Sequence, residues 1–429
     1  MTDDDQTSLS APQKLVVAGQ GYVGLPVAMR AVEVGYRVVG FDPDVDRVKR
    51  LTSGESYVED VSNAALREAL ATERYTASSE ARSCRGFDYA VITVPTPLTE
   101  RAPDLSYIES AAATLARYLR PGATVILEST TYPGTTEELV VPILEEGSGL
   151  SAGEDFHVGY SPERIDPGNT RHTFVNTPKV VSGIDAASLR SVQDFYETLV
   201  ESVVPVSGTA EAELTKLLEN TFRHVNVALV NELAMFAGDM NIDIYEAIEA
   251  ASTKPFGFMR FVPGPGVGGH CLPIDPSYLS WSVQHSLGRS FRFVELANDI
   301  NDHMPDHVVR RLTSALNRRF RMAVNGSRIL VLGLSYKSNT GDVRESPALM
   351  VAERLVEMGA DVRAVEPYLE ETRDSRISLV DLTREEVAEA DAVVLLTDHD
   401  RLDLDLVVAE ASYVLDTRFR LSGPNVERL

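Results

Sequence analysis

The segment KLVVAGQGYVG at residues 14–24 joins an apolar run to three glycines at the spacing Gly-x-Gly-x-x-Gly. A helical pattern, LPVAMRAV at 25–32, follows it, and a second apolar run, RVVGF at 37–41, ends on Asp42. A strand, a glycine turn, a helix and a second strand ending in an acid are typical of a dinucleotide-binding βαβ unit. The segment therefore predicts a Rossmann-like lobe, although a glycine triplet with this spacing also occurs by coincidence.

The glycines and the acid each have a role in this interpretation. Gly19 makes the tight turn, Gly21 admits a pyrophosphate, and Gly24 allows close packing of the helix, whose N-terminus faces the phosphates. Asp42 would bond the adenosine ribose hydroxyls and repel a 2′-phosphate, so the sequence favours NAD over NADP. The nearby cation Arg47 weakens that preference.

The alternation of strands and helices continues beyond this unit. Strands are predicted at 87–94 and 124–128, with a helix at 107–119 between them. These strands run into Pro95-Thr96 and Ser129-Thr130. Because ligands of open parallel sheets bind beyond the carboxyl ends of strands, a nicotinamide and its substrate can meet there. A simpler role for these residues in turns and helix caps stays open.

The middle of the chain contains a charged loop and then a long helix. After a strand at 156–160, the proline-bounded loop 161–169 carries Glu163 and Arg164, which indicates a site. From residue 210 to 241 the apolar spacing is helical. Roughly 30 residues at a rise of about 1.5 Å make a helix about 45 Å long, enough to connect two domains.

Two polar residues on this helix, Lys216 and Asn220, are four positions apart. Residues at this spacing share a helix face, so both can reach one ligand. A solvated helix face is the equally simple alternative.

A glycine-rich segment, PGPGVGGHCLPIDP at 263–276, contains Cys271 and, four residues later, Asp275. Glycines let the main chain approach a bound molecule closely and take positive φ angles. A thiol held there is suited to attack on an electrophilic carbon. The alternative is a glycine-rich turn that ends in a buried cysteine, since cysteine is often buried.

A second α/β lobe is predicted after residue 304. A strand at 327–334, a helix ending at Met358 and strands at 361–365 and 392–396 repeat the alternation. Only Gly333 remains of the glycine fingerprint. A lobe of this kind can hold a different nucleotide, which suggests a substrate that carries one.

Composition restricts the class of protein. The chain has 429 residues, 44% of them hydrophobic, and a formal charge of −24. That charge argues against nucleic acid or an anionic membrane as a partner, and no apolar run of about 20 residues predicts a membrane span. Two cysteines provide no disulfide framework, so we expect a reducing cytoplasm. The first residues are acidic and no apolar h-region follows them, so we expect no secretory signal. We expect no metal.

Several separated motifs occur in one order and resemble the UDP-glucose/GDP-mannose dehydrogenase family, from the first strand to about Arg418. The most specific is GVGGHCLPIDP at 266–276. The glycine fingerprint at 19–24, VPTP at 94–97, AELTK at 212–216 and the segment 337–347 also match.

The resemblance implies two Rossmann-like, doubly wound parallel-sheet lobes joined by a central long-helix dimerisation domain. The implied divisions are an NAD-binding domain at 1–206, a helical catalytic and dimerisation domain at 207–303, and a nucleotide-sugar-binding domain at 304–429. A homodimer through the central helices is implied as well.

The resemblance also assigns residues to roles. Catalysis is assigned to Cys271, Asp275, Lys216, Asn220, Thr130 and Glu163. NAD binding is assigned to Gly19, Gly21, Tyr22, Val23, Gly24, Asp42, Arg47, Pro95, Thr96, Ser129, Thr130 and Arg344. Binding of a UDP or dTDP hexose is assigned to Glu163, Arg164, Lys216, Asn220, Arg223, Phe258, Gly266, Gly268 and Lys337.

The implied reaction is a four-electron oxidation of a sugar C6 alcohol to a carboxylate with two NAD, through a thiohemiacetal and a thioester on Cys271. Many UDP-glucose enzymes carry a second glutamate four residues after the first. Here Pro167 stands at that spacing after Glu163, with Asp166 beside it. The loop resembles the branch acting on UDP-N-acetylhexosamines, with UDP-glucose or dTDP-glucose as the alternatives.

Two other classes of function stay open. A two-electron alcohol dehydrogenase of the same architecture would not need Cys271. A non-catalytic nucleotide-sugar-binding protein would form no NADH with any nucleotide sugar.

Overall fold

The computed structural model describes residues 12–99, 102–165, 169, 171–269, 272 and 274–429. Compactness divides the chain into two units, Met1–Leu218 and Glu219–Leu429, which are described separately below. The predicted division into three domains at residues 206 and 303 stays a prediction.

The first unit contains one large sheet. Its strands and those of a small hairpin are β1 (Lys14–Ala18), β2 (Arg37–Phe41), β3 (Tyr75–Ser78), β4 (Tyr89–Ile92), β5 (Leu98–Thr99), β6 (Ala102–Pro103), β7 (Thr124–Leu127), β8 (His157–Tyr160), β9 (Lys179–Gly183) and β10 (Val203–Pro205). Eight of them form the order β10-β9-β8-β7-β4-β1-β2-β3, and β5 pairs with β6.

The sheet departs from the predicted parallel arrangement at one place. Strands β8 and β9 are antiparallel, with Gly159 opposite Gly183, whereas the other pairs in this sheet are parallel. The backbones approach closely there, since a Cβ on Gly159 would lie 2.2 Å from the carbonyl oxygen of Ser182. Strands β9 and β10 therefore run opposite to the other strands of a sheet that is otherwise parallel, as predicted.

Helices cover both faces of this sheet. They are α1 (Gly24–Glu33), α2 (Val45–Thr52), α3 (Asn63–Ala71), α4 (Ser106–Ala116), α5 (Val141–Ser148) and α6 (Ala186–Leu199), with a 3₁₀ turn at Ala81–Cys84 and a π-helical turn at Thr136–Val140. Leu15 and Val17 belong to one apolar cluster, and Val16 and Ala18 to another. Since successive strand residues point to opposite faces, both faces are buried, as in a doubly wound fold.

A long helix, α7 (Thr209–Ala237), begins in the first unit and continues into the second. The prediction of a helix from 210 to 241 is right in type, but the helix ends before Gly238. The second unit then contains α8 (Ile244–Ser252), α9 (Asp275–Leu287), α10 (Arg292–Asp302) and α11 (Met304–Ala315), followed by a π-helical turn at Leu316–Phe320.

The second unit ends in another α/β sheet. Its elements are β11 (Arg328–Leu332), α12 (Pro347–Glu357), β12 (Asp361–Val365), β13 (Ser378–Leu379), α13 (Arg384–Glu389), β14 (Ala392–Leu395), α14 (Leu404–Glu410), β15 (Val414–Asp416) and β16 (Val426–Arg428). The strand order is β13-β12-β11-β14-β15-β16, and every pair is parallel. The predicted fold class, two α/β lobes with a helical segment between them in the sequence, is confirmed.

Candidate active site

The turn after β1 requires glycine at two of the three fingerprint positions. Gly19 has a φ of 96°, and its N–H donates to the carbonyl oxygen of Phe41 at 2.8 Å. A Cβ there would lie 2.7 Å from the carbonyl oxygen of Thr93. A Cβ on Gly24 would lie 1.9 Å from the carbonyl oxygen of Gly19, so any side chain would push helix α1 off the turn.

Gly21, the middle glycine of the fingerprint, lies beside open space. A Cβ on Gly21 would meet no described atom within 4 Å, and the neighbouring Tyr22 is exposed and Val23 half-buried. Helix α1 begins at Gly24, so its unpaired N–H groups lie beside this open space. Open backbone next to a helix N-terminus suits a pyrophosphate, and the residues present therefore fit NAD.

Asp42 follows β2 and lies beside the same turn. Its carboxylate is buried and accepts hydrogen bonds from the N–H of Gln20 at 2.9 Å and of Asp44 at 3.0 Å. Arg47 pairs with Asp42 at 3.5 Å and with Asp44 at 3.4 Å. Arg47 is thus engaged by two carboxylates instead of standing free for a 2′-phosphate, which agrees with NAD as the cofactor.

The loops after β4 and β7 are joined by a hydrogen bond. The hydroxyl of Ser129 donates to the carbonyl oxygen of Val94 at 2.8 Å, so this predicted cofactor ligand also fixes the spacing of the loops. Pro95 is exposed, Thr96 is buried and Thr130 is half-buried. Their predicted contacts with the nicotinamide stay predictions.

Lys216 and Glu163, far apart in sequence, form a buried ion pair. The Nζ of Lys216 lies 3.1 Å from Oε2 of Glu163, and both residues are buried. The N–H of Ile165 donates to the other carboxylate oxygen, whereas Arg164 donates to the carbonyl oxygen of Pro178. The structure therefore brings two predicted catalytic residues together, whereas the side chain of Arg164 binds a main-chain carbonyl group.

A second buried ion pair supports the loop that carries Glu163, and the sequence analysis missed it. Lys179 on β9 binds Glu128, and its Nζ also donates to the carbonyl oxygen of Pro162 at 3.1 Å. Tyr196 donates to the same Glu128 at 2.7 Å. A lysine at the start of a buried strand was the available signal.

Glu213 is a further buried acid, which the sequence analysis gave only as part of the motif AELTK. It lies on α7, three positions before Lys216, and is fully buried. Its carboxylate accepts from the N–H of Gly134 at 2.6 Å, and from the N–H and hydroxyl of Thr136 at 2.9 and 2.6 Å. Burial raises the pKa of Glu213 to about 7. This residue links α7 to the loop that carries Ser129.

In the second unit, Asn220 and Asp275 are hydrogen-bonded, with the amide donating to the carboxylate. Asp275 is the first residue of α9 and is buried. Cys271 lies outside the described residues. Of the predicted substrate ligands in this unit, Arg223 and Phe258 are exposed.

The glycine-rich segment packs closely on the start of the C-terminal lobe. A Cβ on Gly266, whose φ is 132°, would lie 3.0 Å from Pro347. A Cβ on Gly268 would lie 2.7 Å from both Pro347 and Tyr336. Both glycines are therefore required for packing within the unit, whatever contact they make with a substrate.

In the C-terminal lobe, Lys337 is half-buried in the loop after β11. Arg344 is exposed and forms a bidentate pair with Asp342, with Nε 2.9 Å from Oδ1. The predicted contact of Arg344 with NAD stays a prediction.

Two negative findings apply to the described residues. They contain no group of three or more His, Cys, Asp or Glu side chains arranged to hold a metal ion. None of their helices has the length and apolar character needed to cross a membrane.

The chain matches the UDP-glucose/GDP-mannose dehydrogenase family in three segments. These are its NAD binding domain at residues 13–200, its central domain at 210–303 and its UDP binding domain at 330–422. The chain therefore belongs to the UDP-glucose/GDP-mannose dehydrogenase family, and it is an NAD-dependent oxidoreductase. The predicted resemblance and the predicted cofactor are confirmed.

Individual relatives cover most of the chain. It is 37% identical to the UDP-N-acetyl-D-mannosamine dehydrogenase of Pyrococcus horikoshii over 387 residues, 90% of this chain and 89% of that protein. It is 39% identical to the UDP-N-acetyl-D-glucosamine 6-dehydrogenase of Pseudomonas aeruginosa over 360 residues, 83% of each chain.

Solved structures agree with the fold. A UDP-D-ManNAc dehydrogenase from Pyrococcus horikoshii matches with a TM-score of 0.87 at 34% identity, covering 97% of this chain and 99% of that one. A UDP-glucose dehydrogenase from Pyrobaculum islandicum matches with a TM-score of 0.86 at 28% identity, covering 98% of each chain.

Proposed function

We propose that this chain oxidises the C6 hydroxymethyl group of a UDP-N-acetylhexosamine to a carboxylate in two NAD-dependent steps. The observation that carries the proposal is the presence, in one chain, of a turn that fits a dinucleotide and a separate lobe that matches a UDP binding domain. We further propose the three-domain division at residues 206 and 303, which lies close to the family segments.

In the first step the C6 hydroxyl loses a proton and C6 loses a hydride. NAD, when bound, accepts the hydride in this oxidation and in the second one. Lys216, as a buried cation, and Asn220, as an amide donor, would stabilise negative charge on the C6 oxygen. Asp275 would take the proton through water, together with Thr130.

In the second step Cys271 makes the aldehyde oxidisable. Its sulfur adds to the aldehyde carbon, and the thiol proton ends on the C6 oxygen, giving a thiohemiacetal. Loss of the C6 hydride and of the hydroxyl proton then leaves a thioester. Water cleaves the carbon–sulfur bond, giving the carboxylate and returning the thiol. A free thiol is only a few per cent ionised at pH 7, which costs about 2 kcal/mol, and a nearby cation would reduce that cost.

Glu163 is the residue proposed to assist this hydrolysis. Oε2 of Glu163 lies 3.1 Å from Nζ of Lys216, which supports the assignment. Proton transfer to or from Glu163 would change the charge beside the lysine that we propose to stabilise the C6 oxygen.

The choice of sugar rests on the relatives and on one loop. The two relatives named above act on UDP-N-acetyl-D-mannosamine and UDP-N-acetyl-D-glucosamine according to their names, and the loop Ser161-Pro162-Glu163-Arg164 resembles that branch. The similar TM-score of a UDP-glucose dehydrogenase supports UDP-glucose as the second candidate.

The test is a panel of nucleotide sugars that includes UDP-N-acetylmannosamine, UDP-N-acetylglucosamine, UDP-glucose and dTDP-glucose, with NADH and product sugar both quantified. We expect two NADH and one uronate for each UDP-N-acetylhexosamine consumed. One NADH per sugar with an aldehyde product would indicate a two-electron dehydrogenase. Absence of NADH with every sugar would contradict the proposed activity.

We also propose that the chain acts as a homodimer in the cytoplasm. Helix α7 exposes Phe222, Leu229 and Phe236, whose exposed fractions are 47, 52 and 47%. These residues are seven positions apart, so they form one apolar stripe that a second copy of the helix would cover. Light scattering at micromolar concentration should give twice the chain mass, and a Leu229→Glu variant should give a monomer. A wild-type monomer would contradict this.

A further inference from the structure

The loop from Gly333 to Asn339, which carries Lys337, is held by a carboxylate from the neighbouring strand. Glu366 follows β12, and its Oε2 accepts from the N–H of Leu334 at 2.8 Å and of Ser335 at 3.1 Å. Its other oxygen accepts from the N–H of Tyr368 at 3.1 Å. Both carboxylate oxygens therefore already accept backbone hydrogen bonds.

His399 closes this arrangement from the end of β14. Its Nδ1 accepts from the N–H of Asn339 at 2.9 Å, and its Nε2 lies 3.0 Å from Oε2 of Glu366. Because Nδ1 accepts, the ring proton is on Nε2 and is donated to the carboxylate. Both side chains are completely buried. Burial raises the pKa of Glu366, but the bonds from His399 and Leu334 outweigh it, so the pKa lies below its ordinary value.

The two ends of the loop are thus tied by one buried pair. Glu366 holds the loop where it leaves β11, and His399 holds it at Asn339, with Lys337 between these points. A side chain of the loop adds a further tie, since the hydroxyl of Ser338 donates to Asp398 at 2.9 Å. A lysine side chain has several rotatable bonds, so its ammonium group can reach many positions. Fixing the backbone on both sides of Lys337 restricts those positions.

We propose that His399 and Glu366 are positioning residues for Lys337 and set the affinity of the C-terminal lobe for the nucleotide part of the substrate. The inference rests on the proposed function in taking Lys337 as a ligand of the nucleotide sugar. His399 and Glu366 are themselves fully buried and would touch neither the sugar nor NAD. Their loss should therefore appear in the KM for the nucleotide sugar and not in kcat.

Three replacements of His399 separate its contact with Asn339 from its contact with Glu366. His399→Asn retains an acceptor near the position of Nδ1, and His399→Gln retains a donor near the position of Nε2. His399→Phe removes both and leaves Glu366 without this donor. We expect the dissociation constant for UDP to rise about tenfold in the Asn and Gln variants and about a hundredfold in the Phe variant, if that variant folds.

The matched control is His307→Asn. His307 is a buried histidine on α11 in the same unit, and it has no contact with the loop among the described hydrogen bonds. Its replacement costs packing without releasing Lys337. The measurements are the melting temperature, calorimetric binding of UDP, kcat, and the KM for UDP-N-acetylmannosamine and for NAD.

The inference predicts weaker UDP binding and a higher sugar KM in all folded His399 variants, with kcat and the KM for NAD within about twofold of wild type. Unchanged UDP binding in the Asn and Gln variants would overturn it, as would an equal loss in His307→Asn. A wild-type protein that binds UDP but oxidises no nucleotide sugar would contradict the proposed function alone, because the UDP titrations would still decide the role of His399.

Discussion

In both α/β lobes, the first strand is followed by a glycine with positive φ whose N–H donates to the last carbonyl of the second strand. Gly19 donates to Phe41 at 2.8 Å, and Gly333 donates to Val365 at 2.9 Å. In both lobes an acid follows the second strand and accepts from the turn. Sequence similarity between the turns stops at these glycines, yet the backbone geometry is repeated.

The two turns then diverge. In the N-terminal lobe the open position Gly21 precedes α1, which begins at Gly24. In the C-terminal lobe the corresponding position is Ser335, a buried side chain, and α12 begins only at Pro347. The first turn thus leaves room beside a helix N-terminus, whereas the residues after the second turn include Lys337. We propose that the same backbone turn serves two kinds of nucleotide site.

The largest expected effect concerns the buried Lys216–Glu163 pair of the first unit. We expect its loss to lower kcat, whereas loss of the His399–Glu366 pair should raise the KM for the nucleotide sugar. Lys216→Met removes the cation that we propose to stabilise negative charge on the C6 oxygen, and it leaves Glu163 buried without its partner. We expect kcat to fall by about 10²–10³ with the sugar KM within a few-fold. Steady-state kinetics checks this, with Lys49→Met, an exposed lysine on α2, as the control. A Lys216→Met variant with wild-type kcat would remove the distinction between the two pairs.

The buried acids of the two units should respond to pH in opposite directions. Glu213 accepts only from neutral groups, and its pKa is raised to about 7 from an ordinary value of 4.5, whereas that of Glu366 is lowered. Folded Glu213 holds its proton more tightly than the unfolded chain does. The free energy of unfolding should therefore fall as pH rises from about 4.5 to about 7, by at most about 3 kcal/mol.

Glu213→Gln should lose this contribution to the pH dependence. Urea denaturation at pH 5 and pH 8 measures it, and Glu109→Gln, an exposed acid on α4, is the control. If the free energy of unfolding changes equally in wild type and Glu213→Gln between pH 5 and pH 8, Glu213 is ionised over that whole range, which would contradict its raised pKa.

Within the first turn, two glycines should give separate effects. Gly24→Ala forces a Cβ against the carbonyl oxygen of Gly19 and should lower the free energy of unfolding by about 1–3 kcal/mol. Gly21→Ala meets no described atom and should leave stability within about 0.5 kcal/mol of wild type while weakening NAD binding. Chemical denaturation and NAD titration of both variants check this. Equal destabilisation by the two would mean that Gly21 is also required for packing.

The sequence was informative wherever a local pattern carried the information. The strand at 361–365 and the fingerprint at 19–24 are where the patterns predicted them, because alternating burial and turn chemistry are encoded locally. The antiparallel pairing of β8 with β9 depends on two segments that are separated in sequence, and periodicity does not encode strand direction.

The candidate site shows the same limit. Lys216 and Glu163 were identified singly, but their pairing required the fold to bring residues 53 positions apart into contact. Glu366 and His399 were missed, since an acid after a strand and a lone histidine are common. What distinguishes Glu366 and His399 from other such residues is their hydrogen bonding to the loop after β11, which the structure shows and the sequence does not.

Calorimetric titration of NAD and of UDP into wild-type protein and Gly21→Val decides whether the two turns serve different ligands. We predict one NAD and one UDP per chain for wild type, and loss of NAD binding with UDP binding retained in Gly21→Val. Two NAD per wild-type chain, or loss of both ligands in the variant, would contradict this account.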